Sequence, residues 1–192
     1  MGNVIANAMA ADEIPPIDVI ENAGSVEEWM RLYRGRIHRY VLFATHDQDV
    51  ADSLTQDCFL RAHLAHGSFR GDCSMATWLM RIAVNLVRDH QRSIKLRFWR
   101  KAPTLDAAEI SDRLPDSGTS AEQRLIARQR VASVWRAVEG LSERQRSIFL
   151  LRFVEDLELP EIAQAMQLNL NTVKSHLYRA LSAVKKQVEE AG

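Results

Sequence analysis

Apolar residues recur every three or four positions along most of this 192-residue chain, which is the period of helices that bury one face. After Ser25, with Glu28 placed to complete a capping box, the series Val26, Trp29, Met30, Tyr33, Ile37, Tyr40, Val41 and Ala44 predicts an amphipathic helix. A second helix is predicted from about Asp47 to Ala65, with Val50, Leu54 and Cys58 as its buried seam. Ser74 caps a third, whose inward residues are Met75, Leu79, Ile82, Ala83 and Leu86. Further on, Ser120 with Gln123 opens a helix with the seam Ala127, Val131, Val134, Trp135 and Val138, ended by Gly140. Ser142 and Gln145 form another capping box ahead of Ile148, Phe149 and Phe153. The run Leu159 to Ser175 then reads as two helices separated by a tight polar turn. Pro160 stands in the first turn of one, where its missing N–H costs nothing. Asn169 caps the other, whose Leu170, Val173, Leu177, Leu181, Val184 and Val188 stack on one face.

Two stretches lack this period. Residues 1–24 contain Pro15-Pro16 and read as a flexible leader. Residues 103–120 hold Pro103, Pro115, Gly118 and a cluster of acids, which marks a flexible acidic linker with at most a short helix. The expected fold class is therefore all-α, with two small helical domains at 25–102 and 121–192. No apolar run reaches membrane-spanning length, and the first residues lack the basic segment of a signal peptide, so no membrane insertion and a cytoplasmic location are expected. Two cysteines, Cys58 and Cys73, make no disulfide framework.

Charge changes the picture. The net charge is zero, but residues 1–60 carry 4 basic and 10 acidic side chains and residues 61–102 carry 9 and 2. Residues 103–122 carry 1 and 5, and residues 123–192 carry 11 and 8. Such alternation suggests separate surfaces for nucleic acid and for a basic protein. On the second helix Asp49, Asp52 and Gln56 share a face with Asp57 alongside, either a solvated face or a docking stripe for a basic surface. The turn from His66 to Cys73 sets Phe69 and Arg70 between Gly67 and Gly71; Phe69 either folds into the core or holds an unstacked base. On the third helix Thr77, Arg81, Asn85, Arg88 and Arg92 form a stripe without an acid, which favours nucleic-acid contact, and Lys95 to Lys101 extends it. On the last helix Asn171, Thr172, Ser175, His176 and Arg179 remain outward. This short, donor-rich set suits the reading helix of a helix-turn-helix, the alternative being a hairpin with a solvated face. Cys58, His63, His66 and Cys73 could in principle hold a metal, but their spacing is looser than that of zinc sites. No nucleophile–base set or phosphate-binding glycine loop is present, so neither an enzyme nor a cofactor is expected.

Taken together, these residues resemble an extracytoplasmic-function (ECF) sigma factor of bacterial RNA polymerase. The likeness to the family's region 2 rests on Asp52-Ser53-Leu54-Thr55-Gln56-Asp57-Cys58-Phe59-Leu60-Arg61, Phe69-Arg70-Gly71, Thr77-Trp78-Leu79-Met80-Arg81-Ile82-Ala83-Val84-Asn85-Leu86 and Asp89-His90. The likeness to region 4 rests on Leu141-Ser142-Glu143-Arg144-Gln145-Arg146, Glu161-Ile162-Ala163 and Thr172-Val173-Lys174-Ser175-His176-Leu177-Tyr178-Arg179-Ala180. It covers residues 25–92 and 121–187 in the family's order.

The resemblance implies partners and roles. Asp49, Asp52, Gln56 and Asp57 would dock on the clamp helices of the largest subunit of core RNA polymerase, with a further contact to its flap. Phe69, Arg70, Thr77, Trp78, Arg81, Asn85, Arg88 and Arg92 would melt and capture the minus-ten promoter element. Asn171, Thr172, Lys174, Ser175, His176 and Arg179, with Arg146, would read the minus-thirty-five element. An anti-sigma factor would hold the protein inactive, and the polymerase would perform the chemistry. The sequence departs from the family at Ala76, a frequent lysine; at Gln167, usually a turn glycine; at Asn171, often glycine; and at His176, often arginine. A free-standing helix-turn-helix regulator would explain residues 141–187 and leave 49–92 unexplained.

Overall fold

A computed structural model of the chain describes residues 25–98 and 131–190, and side chains only to Ile94 in the first stretch. The leader 1–24, the linker 103–120, the cap at Ser120 and Gln123, Ala127, and the side chains of Lys95 to Lys101 lie outside the described residues. Among the described residues every regular element is helical.

The first group comprises α1 (Val26–Thr45), α2 (Gln48–Ala65), a single 3-10 turn (His66–Ser68) and α3 (Met75–Phe98). Each of the three helices packs on the other two. Helix α1 buries Trp29, Ile37, Tyr40, Val41 and Ala44, as its period predicts, but Met30 remains exposed. The capping box expected at its start does not form: Ser25 makes no side-chain cap. The Ser25 hydroxyl bonds the Glu27 carboxylate instead and holds that group below the usual range. Helix α1 stops at His46, which takes a left-handed φ of 57° and donates its N–H to the Leu42 carbonyl at 2.8 Å. Asp47 then starts α2 by accepting from the Val50 N–H at 3.0 Å. The seam of α2 is broader than predicted. Leu54 and Cys58 are buried with Ala51, Thr55, Phe59 and Ala62, while Val50 is only half-buried. Helix α3 is buried on more than one side: Ala76, Trp78, Met80, Val84 and Val87 join Met75, Leu79, Ala83 and Leu86. A helix wedged against two others has little surface left, so its polar residues are confined to one strip.

Further along the chain, helical residues 131–139 precede α4 (Glu143–Phe153), α5 (Leu159–Met166) and α6 (Leu170–Glu190); residues 160–167 of α5 cluster with the first three helices, and the rest form the second group. Ala137, Val138, Leu141, Phe149, Ala180 and Val184 form one core, flanked by Val134, Trp135, Phe153 and Val188, with the Phe149 and Phe153 rings 4.7 Å apart. The capping box at Ser142 forms as expected. The Gln145 N–H donates to its hydroxyl at 3.4 Å, and the Gln145 side chain accepts from the Ser142 N–H at 3.2 Å. Between α5 and α6 the chain turns at Gln167, which adopts a left-handed φ of 54°. Glycine takes that conformation without strain, and a side chain there costs on the order of 1 kcal/mol. Asn169 offsets part of this by accepting the Thr172 N–H at 2.7 Å and its hydroxyl at 2.8 Å. The buried stripe of α6 is rotated from the predicted one. It runs Val173, Ala180 and Val184, leaving Leu170 and Leu181 more than a third exposed.

Candidate nucleic-acid and protein interfaces

Three surfaces collect the chemistry. The first is the outer face of α2, where Asp49, Gln56 and Asp57 are exposed. Asp52 is not simply solvated. Its carboxylate lies 3.5 Å from Arg34 and 3.3 Å from His38 Nε2, both from α1, and accepts from Gln48 Nε2 at 3.3 Å. Exposed pairs of this kind contribute about 0–1 kcal/mol, so they orient the acid more than they stabilise the fold. Further along α2, Leu60 and Leu64 are 57% and 76% exposed, an apolar end to an acidic face. Sequence reasoning passed over both leucines.

The second surface is built around the turn after α2. Gly71, at φ 74°, permits the reversal that brings the chain back to α3. The turn and the start of α3 border a shallow, open cavity of about 230 Å³ lined by Ser68, Phe69, Arg70, Asp72, Cys73, Trp78 and Arg81. Phe69 is only partly buried and leans on the Trp78 ring, with centroids 5.2 Å apart and planes tilted by 50°. The cavity is mainly polar, with two guanidinium donors, a carboxylate acceptor and the edge of one partly exposed ring, Phe69, the kinds of group with which proteins hold unstacked bases. Burial pushes the Cys73 thiol above its ordinary value, although Arg81 opposes the shift. Below the cavity, Asn85 is half-buried and Arg88 and Arg92 are exposed, so the predicted strip is continuous from Arg81 onward.

Two residues expected at the minus-ten surface, Thr77 of the strip and Trp78, do not reach it. Thr77 is 1% exposed and is part of the α3 cap, its N–H donating to Ser74 Oγ at 3.1 Å and its hydroxyl lying 2.9 Å from the same atom. Trp78 is 4% exposed, since an indole facing two packed helices buries more apolar area than it could at the rim. It serves as the floor under Phe69.

The third surface is the N-terminal half of α6. Asn171, Lys174, Ser175 and Arg179 are exposed, and Thr172 is half-buried because Asn169 engages it. His176 is half-buried, and its Nδ1 is buried without a hydrogen-bond partner. Burial, then the charges of Arg144 and Arg179, hold its pKa below the ordinary histidine value. Arg146, expected on this face, turns the other way. Its Nε donates to the Val138 carbonyl at 3.3 Å and its Nη2 to those of Glu139 and Leu141, closing the end of the preceding helix. Its neighbour Arg144 takes the outward place. Sequence spacing could not choose between the two, because the choice is made by where residues 131–139 end.

Among the described residues no helix is long and apolar enough to cross a membrane, and no group of three or more His, Cys, Asp or Glu could hold a metal ion. Cys58 is buried, its pKa pushed up to about 12 by desolvation, and its Sγ donates to the Leu79 carbonyl at 3.5 Å.

Comparison with known proteins gives a consistent result. Residues 26–97 match the family model for Sigma-70 region 2, and residues 132–184 match that for Sigma-70 region 4. The chain is 31% identical over 159 residues to the RNA polymerase sigma-H factor of Pseudomonas aeruginosa, covering 82% of each protein. It is 32% identical over 147 residues to the ECF RNA polymerase sigma-E factor of Escherichia coli, covering 73% of this chain and 74% of that one. Among solved structures, the sigma factor RpoE of Bartonella quintana, in complex with the anti-sigma factor NepR, superposes with a TM-score of 0.68 at 17% identity, covering 85% of this chain and 96% of that one. CnrH, in complex with the cytosolic domain of CnrY, gives 0.61 at 18%, covering 87% and 89%. At such identities these two establish the fold alone.

Proposed function

The chain belongs to the sigma-70 family, as an RNA polymerase sigma factor of the ECF type, and on that premise we propose how its surfaces divide the work of starting transcription. The protein binds core RNA polymerase, recognises promoter DNA and initiates transcription. The acidic face of α2, with Asp49, Asp52, Gln56 and Asp57, docks on the basic clamp helices of the largest subunit. The Phe69 turn, with Arg70, Arg81, Asn85, Arg88 and Arg92, opens the minus-ten element and captures a base of the non-template strand in the cavity; Thr77 and Trp78 support it from below. Helix α6 enters the major groove at the minus-thirty-five element with Asn171, Thr172, Ser175, His176 and Arg179, flanked by Lys174 and Arg144. The second group also meets the polymerase flap. An anti-sigma factor holds the protein inactive, it works in the cytoplasm, and it performs no catalysis of its own.

The observation that supports this reading most strongly is the cavity beside Phe69. A free-standing helix-turn-helix regulator binds closed duplex and has no use for a polar cavity with a partly exposed ring flanked by arginines. Base unstacking costs a few kcal/mol per step, and stacking on Phe69 with phosphate contacts along α3 offsets it. The decisive experiment compares promoter binding by the protein alone and with core polymerase, at physiological salt. Specific binding and permanganate-reactive thymines are expected only with polymerase. Tight sequence-specific binding by the free protein would sink the reading.

A pH dependence follows for the reading helix. His176 is held below its ordinary pKa by burial, Arg144 and Arg179, so it is neutral at neutral pH. Approaching phosphates raise that pKa, so binding takes up a proton and affinity rises as pH falls. Between about pH 8 and about pH 6, duplex affinity for the minus-thirty-five element is expected to increase in the parent and to be nearly flat in His176→Gln. Equal slopes in a titration of both proteins would remove His176 from the interface.

A further inference from the structure

The turn that carries Phe69 is tied to α1 and α3 by ring contacts. Trp29, on α1 and almost wholly buried, lies 4.9 Å from the His66 ring and 6.3 Å from Trp78, edge-on at 80°. Trp78 in turn meets Phe69 at 5.2 Å, the ring planes tilted by 50°. The Phe69 N–H then donates to the His66 carbonyl at 3.0 Å, which closes the circuit. Four rings and one backbone bond thus connect both ends of the 3-10 turn to a single indole. That indole's N–H is buried and finds no hydrogen-bond partner, so Trp29 contributes here through the size and shape of its ring.

We propose that Trp29 and His66 are positioning residues for the base-capturing turn: neither touches the base, and together they fix the angle at which Phe69 presents its face to the cavity. Trp29 sits at the start of α1, far along the chain from the cavity residues, and His66 lies one 3-10 turn before Phe69. Displacing either frees one side of the circuit, so the Phe69 ring loses its fixed orientation while α2's acidic face and α6 are untouched. The proposal rests on the reading of the Phe69 cavity as the base-capture site.

The test uses the full chain bound to core polymerase and fork templates with a single-stranded minus-ten segment. One template is intact and the others carry an abasic site at each position in turn. The position where base removal weakens the parent marks the captured base. Trp29→Leu and His66→Ala are expected to weaken binding to the intact fork by about three- to tenfold, part of the value of one base–aromatic stack, and to leave binding to that abasic fork unchanged. Trp29→Phe, which keeps a ring and removes the unpaired donor, is expected to bind the intact fork nearly as the parent does. Equal losses on intact and abasic forks would reduce Trp29 and His66 to ordinary structural residues, and no loss on the intact fork would overturn the proposal. If Trp29→Leu fails to fold, His66→Ala, a change at an exposed residue, decides between the same outcomes. Phe69→Ala is the control for the underlying reading: if it binds every fork as the parent does, base capture itself is wrong.

Discussion

Reversing Asp49 and Asp52 to arginine together is expected to abolish high-affinity binding to core polymerase while leaving the protein folded. Both acids lie on the outer face of α2, away from Leu54, Cys58 and Phe59 in the core. The fold loses the exposed pairs of Asp52 with Arg34 and His38 and gains a cation beside them. Surface pairs of this type are worth about 1 kcal/mol or less, so the melting temperature and helical circular dichroism should change little. Docking responds more strongly, because attraction to a basic partner becomes like-charge juxtaposition costing several kcal/mol. Each 1.4 kcal/mol is about a tenfold change in affinity, so the loss should exceed about a hundredfold. Titration of the fluorescently labelled double variant into core polymerase checks it, and acidic substitutions in the clamp helices should restore part of the loss. Binding equal to the parent's would mean that the face is only solvated.

The second large effect is expected at strand opening. Replacing Arg81 and Asn85 by alanine should leave polymerase binding nearly intact and strongly reduce permanganate reactivity of the minus-ten thymines. Arg81 lines the cavity and Asn85 continues the strip one turn along α3, remote from the acids of α2. A good polar contact to a base is worth about 1–3 kcal/mol, comparable to the cost of unstacking one step, so losing two tips the balance toward closed duplex. A pre-opened bubble template should largely rescue the double variant, because the cost of unstacking has already been met. Unchanged thymine reactivity on the closed template would take both residues out of the melting site.

Much of this was legible in the chain. The Ser142–Gln145 box and the Asn169 cap appear where the sequence put them, because capping depends on residues within three positions. The helical period placed α1, α2 and the span of α6, though not the buried stripe of α6. What the period could not settle was how much of a helix's circumference a neighbour covers. The resemblance placed Trp78 in the minus-ten set, yet α3 is covered from two sides and the indole is internal. Thr77 was lost from the strip because it belongs to the α3 cap and its hydroxyl donates to the Glu161 carboxylate of α5 at 3.3 Å. Arg146 and Arg144 exchange places because three carbonyls at the end of another helix attract the former. The pairing of Asp52 with α1 and the ring circuit through Trp29 are contacts between helices, to which intervals along one helix are blind.

The contrast between the two thiols has a practical side. Cys58 is fully buried, and its pKa of about 12 leaves essentially no thiolate at the pH of ordinary labelling. Cys73 is partly open and lines the cavity, though its raised pKa slows its reaction. The chain has no other cysteine. A maleimide is therefore expected to react with the unaltered protein preferentially at Cys73, on the wall of the proposed base pocket. A base held in the pocket would shield that thiol, so slower labelling in the presence of promoter and polymerase would report occupancy in the unaltered protein.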